Sequence, residues 1–110
     1  MTLILAKYIF SGPFPLKEFK NPDETGLFGI FYLRNPEKKV ADYGVLYIGD
    51  IDEIEEEPDF PRAHKKFNCW VERGKGEENL YIGYCSTPGL MPKQRETIKR
   101  FLIHKYNTIC

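Results

Sequence analysis

The sequence contains no apolar run approaching the length that crosses a bilayer, so no transmembrane helix is expected. It is poor in cysteine. Cys69, Cys85 and Cys110 make an odd, widely spaced set, which predicts no disulfide framework. A zinc group of Cys69, Cys110, His64 and His104 can be drawn, but its spacing matches no ligand pattern. Net charge is also missing: 16 Lys/Arg meet 16 Asp/Glu. The opening Met1–Lys7 lacks a charged leader and a long apolar stretch, so it reads as a strand rather than a signal peptide, and a cytoplasmic location with no membrane partner is expected.

What is present suits a folded domain. Apolar residues make up 42% and charged residues 29%, a balance that argues against disorder. Eight Phe, seven Tyr and one Trp supply bulky core material, and 110 residues allow one domain, 1–110. The zero net charge hides an uneven distribution: about +1 over residues 1–49, −7 over 50–61, and +6 over 62–110. The acidic segment holds Asp50, Asp52, Glu53, Glu55, Glu56, Glu57 and Asp59 without a base. It reads as a solvated loop and lacks the glycine and ligand spacing of a calcium loop.

Leu3–Phe10 predicts a strand, and the proline-bearing stretch from Ser11 to Gly26 a wrapping arm, so 1–26 precede a core of 27–110. Leu27–Leu33 and Val45–Gly49 predict strands joined by a long turn. A helix is expected from Pro61 to Arg73, stopped by Gly74 and Gly76. Asn79–Ser86 predicts a further strand, and Pro92 opens a helix to Tyr106 with Ile98, Leu102 and Tyr106 on one stripe. The class is α+β: a small, mainly antiparallel sheet of three or four strands flanked by helices.

Gly29-Ile30-Phe31, Tyr47-Ile48-Gly49, a helix bearing Arg62 and His64, and a last helix ending Leu102-Ile103-His104-Lys105-Tyr106-Asn107 follow one another in order. Over residues 27–110 this resembles the GIY-YIG nuclease superfamily, and Phe67-Asn68-Cys69-Trp70 looks like its small stand-alone members. The resemblance implies phosphodiester hydrolysis by two strand tyrosines, a helix arginine, an asparagine, and a last-helix glutamate that holds Mg²⁺ or Mn²⁺. Carried over residue by residue, Tyr47 and Asn107 match. Arg62 stands farther from Gly49 than the pattern expects, and His64 stands near its histidine. Phe31 replaces the first tyrosine, and Tyr32 should face away by strand alternation. Lys99 replaces the glutamate, with donors where a cation needs oxygens. Glu96, one turn earlier, serves as a metal ligand only if the site is rearranged.

Three functions follow from this pattern. One is a catalytically impaired GIY-YIG-like domain that needs no cofactor and binds nucleic acid or another phosphate-bearing ligand through Lys65, Lys66, Arg73, Arg95, Lys99 and Arg100. A second is a metal-dependent endonuclease with a rearranged site. The third is a protein-interaction or regulatory domain that uses segment 50–59.

Overall fold

The computed structural model describes residues 2–110. Its centre is one antiparallel sheet in the order β1-β2-β5-β3-β4, built from β1 (Thr2–Leu5), β2 (Tyr8–Pro15), β3 (Gly26–Leu33), β4 (Tyr43–Asp50) and β5 (Leu80–Ser86). The helices are α1 (Asp52–Glu55), α2 (Phe67–Gly74) and α3 (Pro92–Tyr106). No helix is long and apolar enough to cross a membrane among the described residues. The α+β sheet with flanking helices stands as read, with five strands because the amino-terminal stretch contributes two.

The expected single strand at Leu3–Phe10 is instead a hairpin that takes in the arm as far as Pro15, while 16–25 stay irregular apart from one short helical turn at Leu16–Glu18. Ala6, at φ 56°, turns the chain so that Leu3 faces Phe10 and Leu5 faces Tyr8, and β2 runs on to Pro15 against β5. The β2–β5 register shifts between Ser11 and Phe14, where Gly12-Pro13 interrupts the strand. Proline has no N–H for a ladder, so such a break is where a strand tolerates it.

β3 lies between β5 and β4 and is buried from Gly26 through Phe31, which explains its unbroken apolar run. Two cores result. Phe28, Ile30, Leu46, Leu80 and Ile82 pack with Trp70 of α2 on one face of the sheet. Leu27, Phe31, Ile48 and Cys85 pack with Leu102 of α3 on the other, joined by Ile98 and Tyr106 of the predicted stripe.

The helix expected at Pro61–Arg73 begins later, at Phe67. Residues before it form turns, closed by Ala63 N–H to Asp59 O and His64 N–H to Pro61 O, each 3.1 Å. The Lys66 N–H is taken by His64 Nδ1 at 3.0 Å, which diverts a donor from the helical ladder. An eight-residue helix is too short to persist alone, so α2 depends on the fully buried Trp70.

The acidic segment is not a solvated loop either. Ile51, Ile54 and Phe60 are buried, and α1 starts after the first and carries the second.

Contrary to the expectation of unpaired thiols, Cys69 of α2 and Cys110 form a disulfide, which removes both from any zinc group. Cys85 is the free, buried thiol.

Candidate functional site: a tyrosine–glutamate–histidine cluster

Tyr47 reaches its place through a bulge in β4. Ile30 faces Tyr47 and Phe31 faces Val45, so Leu46 has no partner on β3. Leu46 and Tyr47 then both join the α2-side core, where strict alternation would separate them. The Tyr47 ring packs among Phe28, Trp70 and His64, with centroids 5.8, 5.4 and 5.2 Å away. Its hydroxyl donates to Glu53 Oε1 at 2.7 Å.

Glu53 comes from the start of α1 and is the residue the sequence reading missed. Its Oε2 accepts the Asp50 N–H at 2.9 Å, folding the turn back on itself as N-terminal helix glutamates do. Its Oε1 also meets His64 Nε2 at 3.0 Å. Because His64 Nδ1 accepts from Lys66 N–H, the ring proton sits on Nε2 and is donated to Glu53. The imidazole stacks on the Trp70 indole, 4.7 Å between centroids. The spacing Ile51-x-x-Ile54 was the available signal: two apolar residues on one helical side amid acids imply an anchored turn.

Chemically the cluster is closed. Burial, then the hydrogen bond and charge of Glu53, push the Tyr47 phenol well above its ordinary range, so it stays a donor. Burial alone would raise the Glu53 carboxyl, but hydrogen bonds from His64, Tyr47 and the Asp50 amide together hold it below the usual carboxylate range. Neither ring nitrogen of His64 is left to act as a base. Beside the cluster lies an open depression of about 320 Å³ lined by Glu53, Glu56, Glu57, Ala63, His64 and Lys65, a predominantly negative wall.

The other residues singled out by the resemblance do not converge on it. Arg62 is exposed and pairs with Glu77 at 2.9 Å. Phe31 packs edge-on against Phe10 in the α3-side core, ring centroids 6.1 Å apart. Tyr32, expected to face away from Tyr47, shares its side of the sheet, because the bulge turns Tyr47 onto the face of Ile30 and Tyr32. The Tyr32 ring, however, lies over Gly44, where an added Cβ would clash with it. Asn107 is exposed and caps α3 in a left-handed conformation (φ 49°).

Lys99 sits on α3, which packs on the sheet face opposite Tyr47, and its Nζ pairs with Glu96 at 2.8 Å. The bonds of Glu96 to Lys99 and Arg100 hold its carboxyl below the usual range.

The six candidate binding residues divide likewise. Arg95 is buried against Asp50 at 2.9 Å and Asp52 at 3.3 Å, clamping α3 to the acidic segment. Lys99 and Arg100 are tied to Glu96. Lys65, Lys66 and Arg73, near α2, carry no ion pair among the described residues.

No group of three or more His, Cys, Asp or Glu side chains converges as a metal cluster among the described residues. The two oxygens of Glu53 already accept three donors, so the donor set at Tyr47 does not fit a resident Mg²⁺ or Mn²⁺. The fold and cluster define the class: an α+β domain with a five-stranded antiparallel sheet between helices. No protein-family model, curated protein or solved structure matches the chain.

Proposed function

We propose that this chain is a GIY-YIG-like domain that binds rather than cleaves. One observation carries the reading. The tyrosine that the motif would use keeps its proton and donates it to Glu53, on a histidine-capped carboxylate with no oxygen pair left for a cation. Phosphodiester hydrolysis needs positive charge at the phosphate and a group to take a proton. Here Arg62 is paired elsewhere and Lys99 stands across the sheet.

The ligand in this reading is nucleic acid or another phosphate-bearing molecule, held by Lys65, Lys66 and Arg73. Fluorescence anisotropy with labelled duplex and single-stranded oligonucleotides at low salt should show binding that weakens as salt rises. A plasmid-nicking assay in Mg²⁺ and Mn²⁺ should show no cleavage. Metal-dependent nicking abolished by Tyr47→Phe would replace this reading with that of a rearranged endonuclease.

A second reading is favoured by the anchoring of segment 50–59. Ile51 and Ile54 point into the core, Glu53 is fixed to Tyr47 and His64, and Arg95 ties down Asp50 and Asp52. Glu55, Glu56 and Asp59 are thereby displayed outward. A preformed acidic surface suits a basic protein partner, and salt-sensitive binding of polylysine with no oligonucleotide binding would select it. A cytoplasmic location belongs to either reading.

A further inference from the structure

The disulfide ties α2 to the segment that follows α3, and these two helices pack on opposite faces of the sheet. α3 lies on one face, and Asn107 turns the chain at its end. By Cys110 the chain has reached the other face, where that residue packs with the Trp70 core and bonds to Cys69 of α2. Between the two lies the outer edge of β4, the last strand of the sheet. The Cys110 N–H donates to Leu46 O at 3.0 Å, so the segment caps the bulged residue that β3 leaves without a partner.

We propose that Cys69–Cys110 is a redox-operated clasp: oxidised, it holds Asn107–Cys110 across the edge of β4, and reduced, it lets that segment leave. The covalent bond supplies most of the hold. Without it the segment keeps one backbone hydrogen bond to β4 and the packing of one small side chain; the Asn107 and Thr108 amides bond only to Ile103 O of α3, and Asn107 and Ile109 remain exposed. So few contacts place a segment at the low end of local stability. Both bonded cysteines are partly exposed and open to small thiols, whereas Cys85 is buried in the core across the sheet and does not compete.

The exchange partner is a small-molecule disulfide. One protein thiolate attacks it and expels a thiolate, then the second protein thiolate attacks the mixed disulfide and expels the other. Two protein thiols are oxidised, two small thiols are released, and the two protons pass to them. Release uncovers Leu46 O on an edge strand, the kind of group that proteins otherwise protect. A chain in a reducing compartment would stay open until oxidised.

The test compares the 110-residue chain after oxidised-glutathione and dithiothreitol treatment. Thiol titration after unfolding should count one thiol in the first state and three in the second. Hydrogen–deuterium exchange should speed by at least about tenfold on reduction at the Thr108 and Cys110 amides, with β3 and β5 unchanged. Cys110→Ser should match the reduced wild type, and Cys85→Ser should clasp and release like the wild type. Three thiols in the oxidised, folded protein would overturn the proposal. Equal exchange at these amides in both redox states would overturn it as well, and it needs no variant to fold.

Discussion

Truncating Glu53 to alanine tests whether the acidic segment is anchored as described. The substitution removes one carboxylate that accepts from the Tyr47 hydroxyl at 2.7 Å, the Asp50 amide at 2.9 Å and His64 Nε2 at 3.0 Å. Hydrogen bonds to a charged group contribute about 1.5–3 kcal/mol each, a ceiling of roughly 4–9 kcal/mol for three. The Glu53 side chain is 29% exposed, so water can reach the orphaned donors and recover about half of that. The expected loss is therefore about 2–4 kcal/mol, or a melting temperature lower by about 8–16 °C for a domain of this size.

The pH dependence gives a second, sharper readout. The Glu53 carboxyl is held below its unfolded value, so its stabilisation is complete above that value, about pH 4.3, and is lost as pH falls through the lower folded value. Urea denaturation of wild type and Glu53→Ala from pH 7 to pH 2.5 should show a gap that is full near neutrality and closes in acid. A gap under about 0.5 kcal/mol at pH 7, or one that is unchanged in acid, would refute the anchoring.

Two substitutions that install the residues of the GIY-YIG pattern test the functional reading. Lys99→Glu breaks the pair with Glu96 and sets like charges three residues apart, costing under about 1 kcal/mol. It should confer no metal-dependent nicking, since α3 packs across the sheet from Tyr47. Phe31→Tyr should destabilise by about 2 kcal/mol in thermal melts, because its hydroxyl would enter the apolar α3-side core, and it too should leave plasmid intact.

The elements with strong local signals were legible from the chain alone. The unbroken run of β3, the Pro92 start of α3 and its Ile98-Leu102-Tyr106 stripe need only periodicity and the stereochemistry of proline. Where a position depended on a particular contact rather than on the period of a segment, the reading failed. The start of α2 moved because a histidine ring captured the Lys66 amide. Tyr32 and Tyr47 came to one face because of a bulge that no glycine or proline announced.

The sequence by itself determined the α+β class and the apolar strand at 27–33, since these follow from side-chain pattern within single segments. Tertiary structure alone decided that Glu53 meets Tyr47 and His64, that Lys99 lies across the sheet from them, and that Cys69 bonds Cys110. Each of these is a meeting of side chains brought together by packing, and a linear pattern carries the period of a segment but not the direction from which another segment arrives.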